Sequence, residues 1–347
     1  MDWSLCKAWA ILEEMKIQLR AWFDDLFDQC HHSQPSERTA ILYCLILAAI
    51  FVGSLYIFVP PKIRKLERDH PHQIQWRTFS SLLVCTGAVG SYPLFFCDLD
   101  GPATFSILDL LRPKRIPGVL LHTLLLYLGP IVASLLRVYE VRKRERSTTS
   151  VRVGKTKRQV NYTNDVFSQL IKPSLDSFLR PRNDYEKWIN RRNFIIAPLT
   201  EEVVFRGCMV PALLASGMTP LRASLIAPLF FGVAHFHHAI MGILKGNRIS
   251  HVVLSMIFQF GYTSLFGCYV AYAFVRTGSI GAVTVSHVYC NWMGLPDLSF
   301  IQSGHPLHLH RYVVLVAYAI GVLAFKWFFS VDNLLPMPAT LTQVLGT

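Results

Sequence analysis

Two adjacent carboxylates and an arginine open an apolar stretch, Glu201-Glu202-Val203-Val204-Phe205-Arg206. Two later apolar stretches also carry costly polar groups: Phe231-Gly232-Val233-Ala234-His235 and His287-Val288-Tyr289-Cys290-Asn291. An ionisable group at membrane depth is expensive and needs a partner or a task. An acid/base, an imidazole and an amide donor, each on a different segment, form the parts of one buried reaction centre. Glu202 and Arg206 stand at i, i+4, and that order favours an ion pair on one helix face. Glu201 is turned about 100° away and lacks the arginine as a direct partner. The pair then divides into a fixed charge, Glu202, and a proton acceptor, Glu201; acid and base roles are split by unequal environments of this kind. His287 and Asn291 repeat the spacing, so one face offers two donors to a developing oxyanion. Phe231 and His235 repeat it again, with Gly232 and Ala234 between them to admit a neighbouring helix.

No serine, cysteine or threonine lies in an activated motif: GxSG, GxSxG, GxGD and HExxH are all absent. The nucleophile is then water, with Glu201 as base and His235 sharing the task. Taken singly, each group also has a structural reading, as an intramembrane ion pair or as a hydrogen bonder between helices. Their joint occurrence favours chemistry. No metal or cofactor is expected, yet a zinc ion held by Glu201, His235 and His287 stays open, since two histidines and a glutamate are a catalytic zinc set.

Helices must position these groups. Of the 347 residues 52% are hydrophobic and only 16% charged, a balance few soluble domains show. Apolar segments at about 40–59, 79–97, 116–136, 194–216, 222–241, 250–275, 279–299 and 311–330 approach the ~20 residues that cross a bilayer. We expect an all-α, polytopic integral membrane protein with about eight transmembrane helices around an intramembrane catalytic cavity. The expected organisation is an N-terminal segment 1–38, amphipathic over roughly 8–30; three helices within 39–136; a basic loop 137–193; catalytic core helices within 194–300; and a last helix and tail in 301–347. No basic n-region precedes an apolar core, so no cleaved signal peptide is expected. The eight cysteines show no CxxC spacing and read as small buried hydrophobes.

The formal charge is +12, and it lies in loops, where topology and anionic lipid explain it better than nucleic acid does. Lys62, Arg64, Lys65, Arg68 and Arg77, and the run Arg142-Lys143-Arg144-Glu145-Arg146, put the loops 60–78 and 137–193 on the cytosolic side. Arg112, Lys114 and Arg115 fall in a lumenal loop, balanced by Asp98, Asp100 and Asp109. The Asn161-Tyr162-Thr163 sequon is then cytosolic and bare. With this orientation Glu201, His235, His287 and Asn291 converge toward the cytosolic leaflet.

In these residues the chain resembles the type II CAAX prenyl endopeptidases of the CAAX-protease and bacteriocin-processing family, marked by EExxxR, FxxxH and HxxxN in order. Here they read Glu201-Glu202…Arg206, Phe231…His235 and His287…Asn291. The resemblance implies an endoplasmic reticulum protease, without metal, that removes the last three residues of farnesylated or geranylgeranylated CaaX proteins such as small GTPases. It implies that Glu201 and His235 activate water, that His287 and Asn291 form the oxyanion hole, and that Glu202, Arg206 and Phe231 support the site. Membrane lipid is the other partner; a lipid groove along the seventh helix, or beside Phe258, Phe260 and Phe266, is an expectation of the same reading. The competing classes are a noncatalytic membrane scaffold or chaperone of the same fold, and a transporter.

Overall fold

The computed structural model describes residues 35–95, 115–151, 180–244 and 246–330. Among these, the regular structure is helical and no strand occurs, as the composition requires for a chain that satisfies its backbone within each segment. Helix α1 (Glu37–Ile57) starts at Ser36, whose hydroxyl accepts from the Thr39 N–H at 3.1 Å, with Glu37 in the first turn; the cap satisfies an orphan donor and the acid faces the positive helix end. One face of α1, with Ala40, Cys44, Leu47 and Phe51, is buried, while Leu42, Leu45, Ile46 and Ile50 on the other face are about half exposed. Apolar residues on both faces mark a helix set against protein on one side and lipid on the other.

Helix α2 (Pro71–Phe95) packs on α1. Helices α3 (Ile116–Leu126) and α4 (Leu128–Val151) are bent by 70° at Tyr127, where a single helix over 116–136 is expected from sequence. Pro130 has no N–H to give and crowds the Leu126 carbonyl, four residues back, so the chain kinks there. Helix α4 also runs on to Val151, well into the stretch expected as loop. Helix α5 spans residues 184–215 with two wide π-turns, Arg192–Ile196 and Val203–Cys208. Each lies just ahead of a proline, Pro198 or Pro211. A proline inside a helix clashes with the carbonyl four residues back, and a π-turn relieves that clash by shifting the bond to i+5, as in Ala197 N–H to Arg192 O and Met209 N–H to Val204 O. The remaining long helices are α6 (Pro220–Ala234), α7 (His237–Leu244), α8 (Ile249–Thr277), α9 (Ile280–Met293) and α10 (Arg311–Ser330), with single short turns at Pro61–Arg64, Ser299–Ile301 and His308–His310.

Each of the eight expected apolar segments is helical over most of its described length, the seventh ending at Met293 ahead of the non-helical 294–298. By length and apolarity, however, four helices qualify as spans among the described residues, namely Glu37–Ile57, Pro220–Leu244, Ile249–Thr277 and His308–Phe328, or five if the bent α3–α4 pair is one span. The site helices account for much of the difference. Helix α9 has 14 residues and rises about 21 Å, short of the ~30 Å hydrocarbon core. The amphipathic segment expected within 8–30, the Asn161 sequon, the acidic and basic residues at 98–114 and the tail beyond 330 lie outside the described residues.

Close packing of α6 against α8 sets the middle of the bundle. A Cβ on Gly232 would lie 2.5 Å from Ser264 Oγ and 2.8 Å from Phe260 Cδ2, and one on Gly267 would lie 2.7 Å from Pro228 Cβ. The expected role of Gly232 in admitting a neighbour is therefore met by α8. The buried cluster beneath contains Phe205, Met209, Leu213, Val270 and Phe274. Lipid tails are as apolar as these side chains, so their cohesion comes from van der Waals fit rather than from leaving water.

Candidate active site

Helix α5 carries Glu201 and Glu202 between its two π-turns, and they point differently, as their spacing predicts. Glu202 is fully buried and accepts from Arg206 Nη1 at 3.2 Å; Arg206 is 1% exposed. The guanidinium also lies over the Phe231 ring, 4.7 Å from its centroid. The Glu201 side chain retains 21% exposure and faces the cavity.

Helix α9 brings the third motif. A two-residue turn joins it to α8: Gly278 takes the left-handed conformation that closes the first helix (φ 62°), and the Ser279 hydroxyl accepts from the Ala282 N–H to open the next. Its rotation is fixed by a buried hydroxyl cluster, with Ser286 Oγ 2.7 Å from Thr123 Oγ1 on α3 and Thr123 Oγ1 2.8 Å from the Tyr269 hydroxyl on α8. The next residue, His287, is thereby set between the two carboxylates. Its Nδ1 lies 2.7 Å from Glu202 Oε1, and its Nε2 lies 3.8 Å from Glu201 Oε2. An Nδ1–H donated to Glu202 fixes the ring and turns Nε2 toward Glu201. Phe266 and Phe231 meet the ring edge-on, at 5.2 and 6.4 Å between centroids.

His235 ends α6. Its Nδ1 is 2.7 Å from the Phe231 carbonyl, which puts the proton on Nδ1 and makes Nε2 the basic nitrogen. The Phe231 ring stands between His235, at 4.7 Å, and Arg206. Asn291, one turn past His287, is exposed and donates Nδ2–H to the Asn193 carbonyl at 3.0 Å. A carboxamide has two N–H donors, so one is committed to α5 and one is available to the cavity.

A single cavity of about 620 Å³ is lined by Glu201, Phe231, His235, His287 and Asn291 together. Every cavity-facing residue singled out from sequence thus shares one wall, with Glu202 and Arg206 sealed behind it. The sequence reading missed Asn193 and an arginine group, Arg68, Arg77 and Arg192, which lines the same cavity. Arg192 Nη1 is paired with Asp69 at 2.7 Å, so the basic loop before α2 meets the first π-turn of α5. Burial first, and then the Arg192 guanidinium, push the Arg68 pKa down, while Asp69 and Glu201 oppose the shift. Positive charge is crowded there. Of the expected lipid-groove aromatics, Phe266 lines the cavity, Phe260 lines a neighbouring cavity of about 360 Å³, and Phe258 is exposed.

Among the described residues no three His, Cys, Asp or Glu side chains are gathered closely enough to hold a metal ion. In this geometry His287 Nδ1 is engaged by Glu202 and His235 Nδ1 by a carbonyl; the zinc set left open by the sequence would have to draw on their Nε2 atoms.

The family model described as Type II CAAX prenyl endopeptidase Rce1-like matches residues 187–293. The chain is 34% identical over 293 residues to CAAX prenyl protease 2 of Homo sapiens, covering 82% of this chain and 78% of that protein. It is 32% identical over 272 residues to CAAX prenyl protease 2 of Arabidopsis thaliana, covering 76% and 82%. With the probable CAAX prenyl protease 2 of Schizosaccharomyces pombe it shares 30% identity over 288 residues, covering 82% and 92%. No solved structure matches the chain. On the three ordered motifs, their convergence on one cavity and identity of this extent, the chain belongs to the type II CAAX prenyl endopeptidase family.

Proposed function

We propose that this protein is an endopeptidase of the endoplasmic reticulum membrane that removes the C-terminal tripeptide from prenylated CaaX proteins. Its substrates are farnesylated or geranylgeranylated chains, small GTPases among them, and the cut follows the prenylated cysteine. The observation that carries the reading is Glu201 Oε2 at 3.8 Å from His287 Nε2, in a cavity that His235 and Asn291 also line. The relatives named CAAX prenyl protease 2 support the substrate class.

Water held between Glu201 and His235 loses a proton to Glu201 as its oxygen adds to the scissile carbonyl carbon. The oxyanion so formed takes a hydrogen bond from the second Asn291 N–H, while His287, its Nδ1–H donated to Glu202, frames the same position with its Nε2 edge beside Glu201. Donors already in place act without reorganising as charge develops. The C–N bond then breaks, and the proton passes from Glu201 to the leaving amine of the tripeptide. Glu202 and Arg206 stay as they are throughout; their work is to hold His287.

The cytosolic leaflet is the side from which substrate arrives. The basic residues of the 60–78 loop reach the cavity through Arg68 and the Asp69–Arg192 pair, and loops rich in Lys and Arg face the cytosol. A prenyl chain partitions at ~0.8 kcal/mol per buried CH₂, so the scissile bond is delivered already concentrated at this depth. The test is release of the tripeptide from a farnesylated CaaX peptide by purified wild type and Glu201→Gln. We expect release by the first and a loss of about 10²–10⁴-fold in the second. Equal release by both would remove Glu201 from the chemistry, and none by either would favour a noncatalytic scaffold.

A further inference from the structure

Arg68, Arg77 and Arg192 come from three elements, the loop before α2, the second turn of α2 and the first π-turn of α5, yet all three line the cavity that holds Glu201. Only Arg192 is neutralised, by Asp69. No carboxylate pairs with Arg68 or Arg77 among the described residues. Arg77 leans on the Tyr56 ring, 5.5 Å from its centroid, and its buried Nε has no hydrogen-bond partner. Against these three cations the cavity wall sets one carboxylate, Glu201, and that carboxylate is assigned to the proton. Arg68 is exposed and Arg77 half-buried, and two guanidinium groups with no carboxylate partner at the cavity invite an anion that arrives with the substrate.

Guanidinium groups recognise carboxylates with paired, charge-assisted hydrogen bonds. A CaaX chain ends in a free α-carboxylate, three residues beyond the scissile bond. Three extended residues span about 10 Å, so a tripeptide anchored at Glu201 places its carboxylate elsewhere in the same cavity. The Glu201 charge is close enough to act on Arg68.

We infer that Arg68 and Arg77 bind the α-carboxylate of the CaaX substrate, beside an Arg192 already held by Asp69, and so measure the three-residue distance from the chain end to the cut. This rests on the reading of the site as a CaaX endopeptidase. It gives these arginines a role in specificity rather than in the bond-breaking step: they make the enzyme count from a free C-terminus and disfavour a bond with chain continuing past the tripeptide. The site would select by KM more than by kcat.

The experiment compares two farnesylated peptides, identical except that one ends in a free carboxylate and the other in a carboxamide. They are assayed with wild type, Arg68→Gln, Arg77→Gln and the lysine variants at both positions, in detergent with and without anionic lipid. Wild type is expected to favour the free acid by about 10–100-fold in kcat/KM, mostly through KM, the worth of a hydrogen bond to a charged group. The glutamine variants are expected to bring that ratio toward one, and the lysine variants to restore part of it. Equal turnover of acid and amide by wild type overturns the inference while leaving the endopeptidase reading intact. A ratio that survives in the glutamine variants while their response to anionic lipid disappears overturns it too, and gives the arginines to a lipid phosphate. Failure of wild type on both peptides overturns the endopeptidase reading and this inference with it.

Discussion

Replacing Arg206 by alanine strands a buried carboxylate. Glu202 is fully buried and its Oε1 receives two donors, Arg206 Nη1 at 3.2 Å and His287 Nδ1 at 2.7 Å. Without the guanidinium, one neutral or shared donor must hold a full negative charge away from water. Breaking one side of a buried pair costs about 3–5 kcal/mol, and the Arg206 contact with the Phe231 ring, worth up to ~2 kcal/mol when desolvated, is lost within that figure rather than on top of it. At ~2 °C per kcal/mol for a large chain, the apparent Tm in detergent should fall by roughly 6–10 °C. Removing both charges together separates stability from chemistry. Glu202→Leu with Arg206→Met replaces the pair by apolar groups of similar size, which is commonly neutral or stabilising, so its Tm should return to within ~2 °C of wild type. Tripeptide release should be abolished in this double variant, because His287 Nδ1 has lost its acceptor. Apparent Tm by nanoscale fluorimetry and turnover of a farnesylated peptide read the two effects apart. A single variant as stable as wild type, or a double variant no more stable than the single, refutes the buried-pair account.

Asn291→Ala should lower kcat by about 10²–10³-fold with KM little changed, the usual loss of one oxyanion donor; an unchanged kcat would leave Asn291 only its tie to the Asn193 carbonyl. Gly232→Ala puts a methyl 2.5 Å from Ser264 Oγ and should destabilise by about 1–3 kcal/mol through overpacking; an unaltered apparent Tm would contradict the close α6–α8 approach. Prolonged treatment with a strong chelator, followed by metal analysis, should leave peptide release intact. Loss of release, restored by zinc alone, would install the metal at Glu201, His235 and His287.

The functional groups were legible in the sequence because each rests on a local spacing. The step of four from Glu202 to Arg206 yields the ion pair even though a π-turn begins between them, since both helical forms return to nearly the same face over four residues. The side-chain partners of His287 and Asn291 were less legible. The sequence sets both on one face of α9 and pairs them as donors; the fold instead gives His287 Nδ1 to Glu202 and one Asn291 N–H to Asn193, both on α5. Such contacts cross 85 and 98 residues, and no periodicity within a segment encodes them. Prolines were visible at 130, 198 and 211, but their outcome was not: one produces a 70° bend at Tyr127, whereas the others are absorbed as π-turns inside a continuous helix. The eight apolar segments were found because hydropathy is additive along the chain, while the number that can cross depends on unbroken length, which the polar motifs and prolines interrupt.

The charges of the site fall into two layers, and the division accounts for two glutamates standing side by side. Behind the cavity wall, Glu202 and Arg206 are sealed at 0% and 1% exposure and paired through Oε1 and Nη1. In front, Glu201 is open enough to meet water and substrate. His287 joins the layers, with Nδ1 on Glu202 at 2.7 Å and Nε2 turned toward Glu201 at 3.8 Å. A chain with Glu201 alone would present a base to an unanchored imidazole; a chain with Glu202 alone would hold the imidazole with nothing to accept a proton in the cavity. Adjacency on a helix, with its turn of about 100° per residue, is the shortest arrangement that aims one carboxylate inward and the next into the cavity while keeping both within reach of a single ring. Moving either glutamate by one position should therefore cost more activity than an Asp substitution in place, which shortens the reach but preserves the direction. Glu201→Asp retaining measurable turnover, against none for a variant with Thr200→Glu and Glu201→Thr, would be the expected pattern; equal activity in both would dissolve the division of labour.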